Sequence, residues 1–160
     1  TPVKFIHKGY YDHMEESHEL LAFYGNEKIW DILAENPRTR VVVFGEQPEM
    51  LRFPCSTQSY TDIEGSGGNF NLSSSPEALA DFFTFAGVDY IYLGSGYLKP
   101  GTDGFRNVTG LLKQGYLMDL LYENGNGLAV FSSDPKNLTE EESEALLAEF
   151  TEKYWPGEQQ

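Results

Sequence analysis

Residues 41–44, Val-Val-Val-Phe, are apolar at every position and end on Gly45. Side chains alternate between the two faces of a strand, so a strand apolar at both parities must be covered on both sides. That points to a sheet with helices on its two faces and against a meander with one wet face. A buried strand ending on glycine also has the look of the first strand of a nucleotide-binding fold. The next residues, Glu46, Gln47, Pro48 and Glu49, argue otherwise. A dinucleotide fingerprint needs G-x-G-x-x-G, so that the backbone can approach a pyrophosphate at a helix N-terminus. Here two carboxylates stand where the diphosphate would lie, and Pro48 has no N–H to offer. Gly45 therefore reads as the polar exit of a buried strand.

The remaining pattern supplies the helices. Asn26 is placed to cap "NEKIWDILAEN", whose Ile29, Trp30 and Leu33 form an apolar stripe. Asn36-Pro37 stops that helix, because the residue before proline avoids helical dihedrals. Upstream, "EESHELLAFY" reads as a short helical turn. "CSTQSYTDI" reads as a second, more exposed strand, and "EGSGGNFNLSSS" as a loop. Ser75 caps and Pro76 opens a helix that runs to Gly87, with Leu79, Phe82, Phe83 and Ala86 inward. "VDYIYLG" is the next strand, "SGYLKPGTDGF" a loop, and "NVTGLLKQG" a short helix stopping at Gly115. "YLMDLLYE", "NGNG" and "LAVFSS" read as a hairpin, since Asn-Gly is the strongest short-range hairpin signal. In the last helix Thr139 and Glu142 fit a capping box, and Leu146, Leu147, Phe150 and Tyr154 dock. The expected fold is α/β: a mixed sheet of about five strands, parallel in part, with a C-terminal antiparallel hairpin and flanking helices, Rossmann-like without the fingerprint.

The 160 residues suit one domain, with Lys and Arg numbering 11 against 25 Asp and Glu, for a net charge of −14. That balance excludes nucleic acid as a partner and disfavours anionic membrane surfaces. One cysteine, Cys55, excludes an intrachain disulfide and a multi-cysteine metal knuckle. It has no histidine near it in sequence, so a packed thiol is expected rather than a nucleophile.

The other chemical signatures fall short. "LGSGYLKPGTDG" is glycine-rich and carries Lys99, but Pro100 stands where a P-loop needs Ser or Thr. Ser95 lacks the G-x-S-x-G elbow. His7, His13 and His18 cluster near the start, but the five-residue step from His13 to His18 is off the same-face helical spacing of two-His metal sites. Neither metal nor cofactor is expected, and no catalytic residue is assigned. Asp62 and Glu64 lie near the distance of a ribose-binding acid, which means little without the glycines. Asp62, Glu64, Tyr97, Lys99 and Asp103 remain as ligand-facing candidates.

Four segments, taken in order, resemble a known family. They are "ENPRTRVVVFG", "EMLRFPCSTQSYTD", "EALADFFTFAGVDYIYLG" and "LLKQGYLMDLLYENGNGLAVFSS", within residues 26 to 133. The series is similar to the soluble extracytoplasmic domain that follows the transmembrane helices of bacterial dolichyl-phosphate-mannose–protein mannosyltransferase-like glycosyltransferases. The resemblance implies a non-catalytic domain at the extracytoplasmic face of the cell membrane that contacts substrate or acceptor or packs on its own membrane portion. It implies a glycan or protein acceptor as a further partner. The catalytic acids of such enzymes are expected in a loop between transmembrane helices, so none is carried onto this chain. On that reading, residues 1–25 follow a removed membrane portion, 26–155 are the domain and 156–160 a flexible tail. Two alternatives stay open. One is a free-standing α/β enzyme with its site near Gly45 and Gly94 and with Asp62, Glu64 and Asp103 as acids. The other is a carbohydrate- or protein-binding module using Tyr97 and Trp155.

Overall fold

The computed structural model describes residues 26–45, 51–64 and 74–154. In chain order they form α1 (Glu27–Glu35), β1 (Arg40–Phe44), β2 (Ser56–Ser59), α2 (Tyr60–Glu64), α3 (Pro76–Ala86), β3 (Tyr90–Leu93), α4 (Asp103–Lys113), β4 (Leu117–Glu123), β5 (Asn126–Phe131) and α5 (Glu140–Tyr154). The strands make one sheet in the order β2-β1-β3-β5-β4. β1 pairs in parallel with β2 and β3, and β5 pairs antiparallel with β3 and β4. The mixed α/β architecture expected from the sequence is the one observed.

The uninterrupted apolar run of β1 divides as a strand must. Val42 and Phe44 join Ile91 and Leu93 of β3 in the larger core cluster, under α2, α3, α4 and α5. Val41 and Val43 join Tyr92 and Leu128 on the opposite face, under Ile29 and Leu33 of α1 and Phe53. Both parities are buried because helices cover both faces. Phe44 stacks on Tyr60 at 4.3 Å between ring centroids, which ties β1 to α2.

Local signals set most helix ends. The Ser75 hydroxyl accepts from the Ala78 N–H at 3.1 Å, Pro76 is the first helical residue of α3, and Gly87 ends it at φ 70°. Ser75→Ala is expected to cost about 1 kcal/mol in chemical denaturation. At α5 the capping box is reciprocal: the Thr139 hydroxyl accepts from the Glu142 N–H at 3.1 Å, and the Glu142 carboxylate accepts from the Thr139 N–H at 2.9 Å. That backbone bond is the main cause holding the Glu142 carboxyl below its ordinary range. At the hairpin, Asn124 and Gly125 both take positive φ, 52° and 83°, as a type I′ turn requires. The edge strand β4 shifts register between Met118 and Leu121, with Asp119 at φ 51°, an irregularity that discourages pairing with another chain.

Three expectations change. Asn26 does not cap α1 with its side chain. Its Oδ1 accepts instead from the Tyr92 hydroxyl at 3.0 Å, and its buried Nδ2 has no hydrogen-bond partner among the described residues. The free N–H groups of α1 are taken by Glu123 of β4. Its carboxylate accepts from Lys28 N–H at 3.0 Å and from Ile29 N–H at 3.1 Å. Second, "YTDI" is not strand: β2 ends at Ser59 and α2 follows. Tyr60 and Ile63, three apart, both enter the larger core, a spacing that a helix satisfies and a strand does not. Third, α4 begins at Asp103, inside the stretch read as loop, because the Thr102 hydroxyl accepts from the Phe105 N–H at 3.3 Å and caps it. "EESHELLAFY", the three histidines and Trp155 lie outside the described residues, as does most of the "EGSGGNFNLSSS" loop.

Candidate functional site

β1 and β3 lie side by side in parallel, with Phe44 in register with Leu93. Beyond β1 the chain crosses to β2 on one side. Beyond β3 it leaves through α4 toward the hairpin on the other. The diverging backbones open a crevice outside the C-terminal ends of the two strands, the switch point at which open α/β sheets bind ligands. A cavity of about 490 Å³ lies there. Small-molecule sites span about 300–1,000 Å³. Val43, Leu51 and Tyr92 supply its apolar lining, and Gly45 and Gly94 bring bare backbone to it. Ser95, Gly96, Tyr97 and Lys99 make up one rim.

That rim is a tight turn. The Tyr97 N–H donates to the Gly94 carbonyl at 3.1 Å. Gly96 sits at φ 76° while Ser95 keeps a negative φ, the pattern of a type II turn, for which glycine at the third position is the unstrained choice. The Gly94 N–H donates to the Phe44 carbonyl at 2.9 Å, so the turn starts directly from the paired strands.

Side chains from three other elements also fasten the turn. Asn126, 5% exposed at the start of β5, accepts from the Ser95 N–H at 2.8 Å. The Tyr97 and Thr61 hydroxyls are bonded at 2.9 Å, which links the turn to α2. The Tyr154 hydroxyl, on α5, donates to the Gly94 carbonyl, and the Leu98 N–H approaches the same hydroxyl at 3.5 Å. The hairpin packs close as well, since a Cβ on Gly125 would stand 2.9 Å from the Ser95 hydroxyl. Each such bond contributes about 1 kcal/mol net. Together they hold the rim in one shape, so a ligand need not supply the entropy of ordering it.

The electrostatics are simple. Burial pushes the Tyr92 phenol well above its ordinary range, and the bond to Asn26 lowers it only in part, so this ring stays neutral. Lys99 is the one charged residue among the described lining. The described rim thus offers a hydroxyl, a fixed phenol ring and an ammonium group, which is equipment for binding.

Of the residues expected to face a ligand, Tyr97 and Lys99 lie on this rim. Asp103 lies in the first turn of α4, with its carboxylate 2.8 Å from the Arg106 guanidinium. Asp62 and Glu64 fall in α2, and their side chains lie outside the described residues. Gly45 and Gly94 both border the crevice. The residues that sequence reasoning missed are those that hold the turn: Thr61, Asn126 and Tyr154. Asn126 had a signal, as the second asparagine of "NGNG"; Tyr154 showed only as a docking aromatic.

Cys55 lies outside the described crevice lining. It is half-buried against the α1 face of the sheet. Burial pushes its thiol up to about 11, partly opposed by a hydrogen bond involving Thr39. At pH 8 iodoacetamide is expected to label native Cys55 roughly a hundredfold more slowly than the chain in denaturant, where a thiol titrates near 8.5. The raised value favours the neutral thiol in the fold. Its contribution to stability is therefore complete below about pH 8.5 and is lost as pH rises toward about 11.

Fold and crevice together define a mixed α/β domain with a preformed cavity at its topological switch point. Neither a protein-family model nor a curated protein or solved structure matches the chain.

Proposed function

We propose that this is a non-catalytic extracytoplasmic domain of a glycosyltransferase-like integral membrane protein, and that it contacts substrate or acceptor through the crevice between β1 and β3. The observation that carries this reading is the extent of the resemblance. Its four segments hold all five strands, β1 to β5, so they coincide with one complete sheet rather than with scattered pieces of it. The crevice adds a place for contact, with Tyr97 as a ring wall and Ser95 and Lys99 as polar groups. The experiment begins with the natural gene, which should encode several hydrophobic helices upstream of Thr1; their absence would sink the proposal. In membranes holding the full-length protein, Tyr97→Ala combined with Lys99→Ala is expected to raise the acceptor KM severalfold with kcat little changed.

One observation favours a second reading: switch-point crevices are also where free-standing α/β enzymes work. In that case Asp62, Glu64 and Asp103 are the acids to test. An activity found in the isolated chain that survives alanine at all three would remove them from any catalytic role.

A further inference from the structure

α5 is a sparsely seated helix. Of its fifteen residues only Phe150 and Tyr154 are buried, and its first turn carries Glu140, Glu141 and Glu142. The Tyr154 ring stacks on Phe150 at 5.1 Å with planes 10° apart, a role that phenylalanine would fill as well. What the hydroxyl adds is reach. It joins α5 to the Gly94 carbonyl, at the foot of the crevice turn and 60 residues away in sequence. That carbonyl also takes the turn's own Tyr97 N–H, and the Leu98 N–H faces the same hydroxyl. One phenol thus touches both ends of the turn that forms the rim.

The geometry points to α5 as a latch on the crevice, with Tyr154 as the positioning residue through which the seat of the last helix sets the Gly94–Leu98 turn. Displacing α5 withdraws the hydroxyl and loosens the Gly94 and Leu98 ends of the turn, which Asn126 and Thr61 still hold at Ser95 and Tyr97, while the β1–β3 pairing beneath it has its own ladder and persists. By linkage, whatever occupies the crevice and holds the turn in shape also strengthens the seat of α5, and a partner that lifts α5 weakens occupancy by the same factor. This regulation rests on the crevice being the contact site proposed above, although the structural coupling itself does not.

The test is amide hydrogen exchange on the whole chain and on Tyr154→Phe, which keeps the stacked ring and removes only the hydroxyl. The amides of Tyr97 and Leu98 are expected to exchange about tenfold faster, in keeping with one lost buried bond. Those of Val42, Val43, Ile91 and Tyr92 should change no more than the global stability does. Unchanged exchange in the turn overturns the latch. So does a uniform rise across turn and strands, which would mean that the hydroxyl serves general stability alone. Should Tyr154→Phe fail to fold, Phe150→Leu loosens the seat of α5 without touching the hydroxyl. Turn amides released ahead of the strand amides would then support coupling, and release in step with them would overturn it. The readout does not depend on what the crevice holds. A failed exchange test therefore removes the latch and leaves the domain reading standing, whereas a gene without upstream hydrophobic helices removes that reading alone.

Discussion

Gly115→Ala is expected to destabilise the domain by about 3 kcal/mol, lowering its melting temperature by roughly 6–12 °C. Gly115 follows the end of α4 at φ 85°, a conformation costly for any residue with a Cβ. The larger part of the loss comes from space. A Cβ placed there would lie 2.0 Å from the Lys136 carbonyl oxygen and 2.8 Å from the Lys136 nitrogen. Both are backbone atoms and cannot turn aside as the tip of a side chain would. The Lys136 N–H also donates to the Gly115 carbonyl at 3.0 Å, so pushing the strands of chain apart breaks that bond too. Gly101→Ala is the control. Gly101 has φ 91° but nothing within 4 Å of its notional Cβ, so only the conformational cost of about 1 kcal/mol applies. Denaturant titration of the two variants separates the contributions. Equal losses would show that the Lys136 segment moves away freely.

Glu123→Ala is expected to cost about 2 kcal/mol, with Glu123→Gln near half of that. The carboxylate caps α1 from 95 residues away, on the N–H groups of Lys28 and Ile29. Both belong to the first turn, where no carbonyl within the helix can reach them and the helix dipole favours negative charge. Alanine leaves those donors exposed to whatever water can enter the partly buried site. Glutamine keeps an acceptor and loses the charge. Amides of α1 should lose protection first, since the cap is also the tie between α1 and the hairpin. If both variants match the parent in chemical denaturation, solvent caps α1 as well as Glu123 does.

These two positions were unequally legible. Gly115 announced itself as a helix stop, because left-handed backbone after a helix is a local preference that glycine satisfies. Nothing near it foretold Lys136 overhead. Asn26 stood at the right place to cap α1, and its residue type was right. The hydroxyl of Tyr92 claimed its oxygen, and the vacant donors were left to a carboxylate from another strand. The strand read into "YTDI" failed for a similar reason. A run that short fits either period, and the core that Tyr60 and Ile63 share selected the helix. The crevice was anticipated only as strand ends near Gly45 and Gly94, with Tyr97 and Lys99 on the loop beyond. Its floor and its fastenings come from segments too distant in sequence to be paired by inspection.

The sequence by itself determined the two-faced burial of β1, the ends of α3, the capping box of α5 and the Asn-Gly hairpin. Each follows from dihedral preference, capping or side-chain period acting over a few residues. Tertiary structure alone decided that β3 lies beside β1 with β2 on the other side, and so where the crevice opens. It also decided that Asn126, Thr61 and Tyr154 converge on one turn. Those bonds join residues 31 to 60 apart. Contacts of that kind form only once packing of the sheet and helices has met the entropy of closing long loops, a condition that no local pattern encodes.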